Sequence, residues 1–144
     1  MKVLVTGGRT FALPAGTCIG DLAGDGVITN VEAAEQFAIV CEALDATNAT
    51  VIIHGDAKGA DQAAARWAVS RSIPTIVCPA DWQSHGKYAG AIRNQEMLND
   101  HKPDLVVAFP GGAGTADMVS KAQRAMIPVR FVNRTKPISK GRLF

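Results

Sequence analysis

The chain has 144 residues and 47% hydrophobic content, which is enough to bury a full core and ordinary for a globular protein. Its formal net charge is +2, but residues 133–144 hold four basic residues and no acid, so the rest of the chain keeps 11 of the 15 basic residues against 13 acidic ones. This near-neutral body lacks the basic face typical of a duplex-DNA binder, and no apolar stretch approaches the roughly 18 residues of a membrane span. The short apolar run at the amino terminus is not typical of a signal sequence, so we expect a cytoplasmic protein.

Short β-branched runs alternate with helical patterns along the chain. The second helix is predicted from a stripe of mostly small residues that begins at Ala60. Trp67 lies on that stripe, so we expect it in the core. Pro74 and Pro128 stand where a helix must end and a strand must begin. The predicted strands cover residues 2–6, 50–54, 75–78, 105–109 and 129–132, and the predicted helices cover residues 30–46, 60–68, 90–99 and 115–126.

This alternation predicts an α/β protein with a Rossmann-like doubly wound parallel sheet of about five strands and helices on both faces. We take the strand order to be 3-2-1-4-5, which makes strands two, one and four neighbours, although periodicity alone does not establish an order. We expect one domain over residues 1–132, with a glycine-rich insertion at 12–28 and a basic tail at 133–144.

Three of the predicted strands end in glycine-rich turns, which begin at Gly7, Gly55 and Pro110. In a parallel sheet these turns lie at the carboxyl edge, where open α/β sheets bind their ligands. Glycine leaves backbone N–H groups unshielded, and a helix that follows the turn directs its positive dipole end at an anion. A single loop of this kind is more often only a tight turn, but three together favour a cleft for a phosphorylated small molecule or nucleotide.

The insertion contains a partial match to a calcium-binding loop. Asp21, Asp25 and Glu32 fall at the first, fifth and twelfth positions of an EF-hand loop, but Ala23 removes the ligand at the third position. No helix precedes the segment. We therefore favour a turn-rich loop followed by a capped helix, with calcium binding as the alternative.

The three cysteines, Cys18, Cys41 and Cys78, are widely spaced and form no C-x-x-C pair. This spacing indicates neither a disulfide framework nor a zinc site, so we expect reduced thiols and no bound metal. Patterns of a Ser-His-Asp triad, a His-x-x-x-His site or a Walker loop are also lacking, so we predict no required cofactor beyond a nucleotide-like ligand.

Six short motifs together form a more specific pattern than any one glycine loop. They are Gly7-Gly8-Arg9-Thr10-Phe11, His54-Gly55-Asp56-Ala57-Lys58-Gly59-Ala60-Asp61, Pro79-Ala80-Asp81-Trp82, Gly86-Lys87-Tyr88-Ala89-Gly90, Arg93-Asn94-Gln95-Glu96-Met97-Leu98 and Phe109-Pro110-Gly111-Gly112-Ala113-Gly114-Thr115. This set resembles the YspA-like, YpsA-related branch of the SLOG superfamily and, more distantly, the Lonely Guy phosphoribohydrolases and DprA. The resemblance covers most of residues 1–132. It implies a Rossmann-like sheet whose glycine loops bind a nucleotide or nucleotide-derived ligand, in a homodimer or higher homo-oligomer.

The resemblance also implies an enzymatic alternative. In Lonely Guy enzymes a helix arginine and a glutamate after the Pro-Gly-Gly-x-Gly-Thr segment cleave the N-glycosidic bond of a nucleoside monophosphate. Arg93 matches that arginine, whereas Asp117 is one methylene shorter than the glutamate and Met118 replaces a second acid. This departure favours binding over turnover. Nucleic-acid processing like that of DprA is a third alternative. The near-neutral body of the chain weakens it, and the basic tail keeps it open.

The predicted ligand-binding residues are Gly7, Gly8, Arg9, Gly55, Lys58, Gly59, Asp61, Trp82, Arg93, Asn94, Pro110, Gly111, Gly112, Gly114 and Thr115, and the predicted catalytic residues are Arg93 and Asp117. Most of the polar ones also have a structural interpretation. Arg93 can hold a phosphate in a bidentate fork or can pair on the surface with Glu96 or Asp100. Asp61 is either a first-turn helix acid or a ribose contact.

The aromatic residues and His54 have the same two interpretations. Trp82 and Tyr88 bracket a polar loop, where they can stack on a base or anchor the loop. His54 can act as a general base, but a hydrogen-bonded structural role is preferred for a histidine before glycine at the end of a strand.

Overall fold

A computed structural model describes residues 1–12 and 31–134 of the chain. The elements in chain order are β1 (Lys2–Thr6), α1 (Val31–Asp45), β2 (Val51–His54), α2 (Ala60–Ser70), β3 (Thr75–Val77), α3 (Trp82–His85), a 3₁₀ turn (Gly86–Tyr88), α4 (Ala89–His101), β4 (Leu105–Ala108), α5 (Ala113–Arg124) and β5 (Val129–Phe131). Most of the predicted insertion and basic tail, including Asp21 and Asp25, lie outside the described residues.

The five strands form one parallel sheet in the order β3-β2-β1-β4-β5. Leu4 pairs with Ile53 of β2 on one side and with Val106 of β4 on the other, so β1 is the central strand. The predicted strand order and the Rossmann-like α/β fold are both confirmed. The carboxyl ends of β2, β1 and β4 are therefore neighbours at one edge of the sheet.

Alternating side chains of the strands divide the core between the two faces of the sheet. Val3 and Val5 pack with α1 and α2 on one face, while Leu4 packs with α4 and α5 on the other. Trp67 of α2 is buried on the first face, as predicted, and its indole N–H donates to Asp45 Oδ1 at 2.9 Å. Since helices cover both faces, a ligand can reach the sheet only at its edges.

Pro74 and Pro128 were predicted to stand just before two strands. Their carbonyl oxygens accept hydrogen bonds from the neighbouring strands, at the point where the strands begin to pair. Pro74 O accepts from Ile52 N at 3.0 Å, and Pro128 O accepts from Val106 N at 2.9 Å. A proline lacks an N–H but keeps its carbonyl, so it fits at the first position before an edge strand. β3 and β5, which follow these prolines, are the two edge strands of the sheet.

The predicted loop between Trp82 and Tyr88 is wrong, because this segment forms the short helix α3 and a 3₁₀ turn. Asp81 is the N-cap of α3, and its Oδ1 accepts from Ser84 N at 3.1 Å. An aspartate whose side chain satisfies a first-turn amide is a common way to start a helix. The helix was not predicted because the polar composition of the segment is typical of a loop.

The glycine turns after β1, β2 and β4 are packed directly against one another. Gly8 N donates to Pro110 O at 2.8 Å, and Gly8 O accepts from Ala60 N at 3.2 Å. A side chain at Gly7 would place its Cβ only 2.5 Å from Ala60 Cβ. Gly59 has φ +80° and lies so close to Gly8 O that a Cβ would overlap it. The turn after β1 is thus held between the other two.

Within the described ranges, no helix combines the length and the apolar character that crossing a bilayer requires. The longest of them, α1, has 15 residues.

We predict that Gly59→Ala destabilises the protein by about 2 kcal/mol or more, because the substitution adds backbone strain to a clash with Gly8 O. Gly90→Ala is the matched control. Gly90 is inside α4 with its nearest neighbour, Trp82, 3.7 Å from an added Cβ, so alanine should stabilise by about 0.5–1 kcal/mol. Urea unfolding of both variants measures these changes. Equal stability of Gly59→Ala and the unsubstituted protein would contradict the loop packing described above.

Candidate functional site

A cleft of about 490 Å³ opens at the carboxyl edge of the sheet. The turn after β1, the first turn of α2, the segment from α3 to α4 and the first turn of α5 line it. Of the residues predicted from sequence, the cleft brings together Gly7, Gly8, Arg9, Asp61, Trp82, Arg93, Asn94, Gly112, Gly114, Thr115 and Asp117. These residues come from the segments that follow β1, β2, β3 and β4.

Five predicted binding residues do not line the cleft: Gly55, Lys58, Gly59, Pro110 and Gly111. Lys58 is exposed, whereas a Cβ at Gly55 would overlap the Arg93 guanidinium, and one at Gly111 would lie 2.7 Å from Gly8 N. Pro110 and Gly111 line a second groove of about 440 Å³ on the other side of α5. The close packing around Gly55, Gly59 and Gly111 explains why these positions are occupied by glycine, without involving a ligand.

Four amides of the first two glycine turns are already used within the protein. Gly8 N donates to Pro110 O, and Gly55 N and Ala57 N both donate to Asp61 Oδ2, at 3.1 and 3.2 Å. Asp56 N donates to His54 Nδ1 at 3.0 Å. The sequence predicted unshielded N–H groups in these turns, but these amides are not free to bind a ligand.

The turn that begins α5, residues 112–115, differs from the other two. Gly112 is the N-cap and offers no side chain, and a Cβ at Gly112 or Gly114 would meet nothing within 4 Å. The N–H groups of Ala113, Gly114 and Thr115 have no acceptor among the described residues, as expected for the first turn of a helix. This turn, which we call the open turn, presents free donors and the positive end of the α5 dipole.

Arg93 of α4 connects the ends of two strands beside the cleft. Its Nη1 donates to Gly55 O at 2.7 Å and to Cys78 O at 3.3 Å, and its Nε donates to Asn94 Oδ1 at 3.1 Å. Arg93 makes neither of the predicted surface pairs. The guanidinium is instead a cation fixed at the cleft, with Nη2 left without a partner in the described part of the chain.

Asp117 is held by two neighbouring donors. Asn94 Nδ2 donates to its Oδ2 at 3.0 Å, and Lys121 Nζ contacts both carboxylate oxygens, at 2.6 and 2.7 Å. Partial burial raises the pKa of Asp117, but the hydrogen bonds from Lys121 and Asn94, together with the positive charges of Lys121 and Arg124, outweigh it, so the net pKa is below the ordinary value. Asp117 is therefore ionised and largely neutralised by Lys121. Its catalytic role stays a prediction.

Asp61, in the first turn of α2, is the most buried carboxylate that lines the cleft, with 6% of its surface exposed. Burial raises its pKa from 3.8 to about 6, although the Ala57 amide, Arg93 and the Gly55 amide oppose the shift. A carboxyl group with a raised pKa inside a cleft is a common mark of a functional position. Oδ2 also fixes the turn after β2, so both interpretations of Asp61 find support in the contacts.

His54 is buried at the end of β2, away from the cleft lining. Because Nδ1 accepts from Asp56 N, the imidazole proton lies on Nε2, which has no partner in the described ranges. Burial lowers the pKa of His54, so the ring is neutral at pH 7. This geometry fits the structural interpretation of His54.

Trp82 stands half-exposed at the start of α3, with the Arg9 guanidinium 5.7 Å from its ring centroid. Both side chains line the cleft. Tyr88, at the far end of the same segment, is exposed but does not line the cleft. Only one of the two predicted aromatic residues is therefore placed to stack on a ligand in this cleft.

The family sequence model of the YspA, cpYpsA-related SLOG proteins matches residues 1–85, more than half of the chain. The chain belongs to this SLOG family. The gene 61 protein of Mycobacterium phage D29 is 45% identical in an alignment 86 residues long, which covers 55% of this chain and 68% of the phage protein. The resemblance identified from the motifs is thereby confirmed at the level of the family.

The SLOG family match covers β1 to α3, and with them the first two glycine turns, Asp61 and Trp82. It ends before Arg93, Asp117 and the open turn. Some residues that line the cleft therefore lie within the family match, and others lie beyond it and reach the same edge through the fold.

Sequence reasoning about this SLOG protein missed Lys121, the ion partner of Asp117. The i,i+4 spacing of the pair on one helix was the available signal, since residues four apart lie on the same helix face. Among residues 1–12 and 31–134, no three His, Cys, Asp or Glu side chains cluster as metal ligands. Cys41 and Cys78 are free thiols, each half-buried.

We predict that Asp61→Asn removes a pH dependence of stability. Because the folded protein raises the pKa of Asp61 from 3.8 to about 6, it binds more protons than the unfolded chain between these values, and stability falls as pH rises through this range. The free energy of unfolding of the unsubstituted protein should therefore fall, relative to Asp61→Asn, by about 2 kcal/mol from pH 4 to pH 7.

Urea unfolding of the two proteins at several pH values measures this difference. All other titrating groups are shared and cancel in the comparison. Parallel stability profiles would show that Asp61 has an ordinary pKa in the folded protein.

Proposed function

We propose that this SLOG protein binds a nucleotide or nucleotide-derived molecule in the cleft, with a phosphate on the open turn. The observation that carries the proposal is the set of free N–H donors at residues 113–115, beside a cleft and unobstructed by side chains. Backbone donors and the helix dipole together make such a turn a binding site for anions. Membership of the family agrees with this assignment, since the resemblance implies nucleotide-related ligands.

The charges that line the cleft also favour an anion. Arg9, Lys87 and Arg93 supply three cations, while Lys121 neutralises Asp117 next to the open turn. Asp61 is the other acid in the lining, and it lies in the first turn of α2. The positive groups and the free amides therefore act together on a phosphate near α5.

Trp82 provides the surface for a base. Half of this side chain is exposed, and it lines the same cleft as the open turn, so a nucleobase can stack on the indole while the phosphate contacts α5. Arg9 above the ring can contribute a second planar face. Stacking of this kind tolerates different bases, because every base has a π-face.

We predict that Gly112→Asp weakens phosphate binding without unfolding the protein. The position is open, and an N-cap aspartate accepts from first-turn amides, so α5 should be as stable as before or more stable by up to about 1 kcal/mol. The same carboxylate occupies the donors and repels a phosphate. Binding of AMP, measured by calorimetry, should weaken at least about 10-fold.

Gly112→Asn is the matched control, since it caps the helix with a similar side chain but adds no charge. AMP should bind this variant more tightly than it binds Gly112→Asp. Unchanged AMP affinity in Gly112→Asp, with the helix intact by circular dichroism, would refute the open turn as the phosphate site.

We predict that Trp82→Ala weakens binding of AMP by about 5- to 100-fold, because base stacking on an aromatic side chain contributes about 1–3 kcal/mol. Binding of ribose 5-phosphate, which has no base, should change little. Tyr88→Ala is the control, since it removes an exposed aromatic side chain on the same segment that does not line the cleft. Equal losses for AMP and ribose 5-phosphate would instead indicate a structural role for Trp82.

A further inference from the structure

We infer that Asp61 recognises a sugar hydroxyl of the ligand, at the side of the cleft away from the open turn. The inference rests on the proposed function and deepens it, because it names the part of the ligand that the first turn of α2 contacts. It also identifies the ligand as one with an unmodified ribose.

The two carboxylate oxygens of Asp61 have different surroundings. Oδ2 accepts from both Gly55 N and Ala57 N, and these two bonds fix the orientation of the carboxyl group. Oδ1 accepts no hydrogen bond from the residues that the structure describes, although the side chain is almost fully buried and lines the cleft. Among the described residues, His54 Nε2 is the only fully buried side-chain nitrogen or oxygen atom without a partner, so Oδ1 of Asp61 is not sealed off but open to the cleft. It can therefore accept a hydrogen bond from a donor on a ligand.

A hydroxyl group is the donor that suits this position. An ionised carboxylate only accepts hydrogen bonds and repels phosphate, so the charged end of a nucleotide belongs at the open turn instead. The other end of the ligand, where the base lies, has Trp82 as its partner in the cleft. The sugar between phosphate and base is then the part that remains for Asp61.

The sheet places Asp61 at a suitable distance from the open turn. β2 and β4 flank β1, so the turns that follow them are separated by two strand spacings, about 10 Å. A phosphate hydrogen-bonded to one turn and a ribose hydroxyl hydrogen-bonded to the other can span this gap, because each hydrogen bond adds about 3 Å to the length of the ligand. A single nucleoside monophosphate is therefore large enough to contact both turns.

The charged groups around Asp61 determine at which pH its carboxyl group is ionised and can accept a hydrogen bond strongly. Burial favours the neutral acid, as does the nearby Asp56 carboxylate, while Arg93 on α4 favours the ionised form, and the resulting pKa is about 6. Arg9, from the turn after β1, and Lys87, from the 3₁₀ turn, also line the cleft, and His54 is neutral. The carboxylate is thus ionised at neutral pH and accepts strongly, and it loses this property as the pH falls below about 6.

The test compares AMP with 2′,3′-dideoxy-AMP by calorimetry, using the unsubstituted protein and Asp61→Asn. At about pH 7.5 the unsubstituted protein should bind AMP about 10-fold or more tightly than the dideoxy compound, because a hydrogen bond to a charged group contributes about 1.5–3 kcal/mol. The ratio should fall toward one at about pH 5. Both ligands carry the same phosphate, so its own titration cancels in the ratio.

In Asp61→Asn the ratio should be smaller and should no longer change with pH. A similar affinity of the unsubstituted protein for both ligands would overturn the inference alone, and this arm needs no substitution that could affect folding. An unchanged, pH-dependent ratio in Asp61→Asn would do the same. If the protein binds neither AMP nor dideoxy-AMP, the proposed function and this inference both fail.

Discussion

The contact between neighbouring glycine turns is the constraint on which the rest of the site depends. Gly8 donates to the turn after β4 and accepts from the start of α2, so one residue connects all three strand ends. Side chains at Gly7 or Gly59 would force these turns apart. Because the turns touch, the first turns of α2 and α5 lie on the two sides of one cleft and keep a fixed distance from each other.

The three turns have different roles, although their sequences look alike. The amides of the turn after β2 donate hydrogen bonds to the side chains of His54 and Asp61. These bonds make the turn rigid and leave few donors for a ligand. The turn after β4 leads into a helix whose first N–H groups are free. Similar glycine patterns therefore produce a rigid support in one place and a row of free N–H donors in another, and the difference comes from the side chains nearby.

Local sequence predicted most of the fold, because β-branched runs, helical stripes and prolines at strand starts depend on nearby residues alone. The strand order agreed with the assumed topology, and the family resemblance was confirmed. The partners of Arg93 and the amides used by Asp61 could not be predicted, because they join residues that only the folded sheet brings together. The short helix after Asp81 was missed for another reason, since its polar composition resembles that of a loop.

The attachment of Arg93 to the carbonyls of Gly55 and Cys78 has a consequence for affinity. A free arginine side chain loses up to about 2 kcal/mol of conformational entropy when a ligand immobilises it. Here folding has already immobilised the guanidinium, so an incoming anion meets a cation that needs no further ordering. Preorganisation of this kind lets a small ligand bind tightly through few contacts.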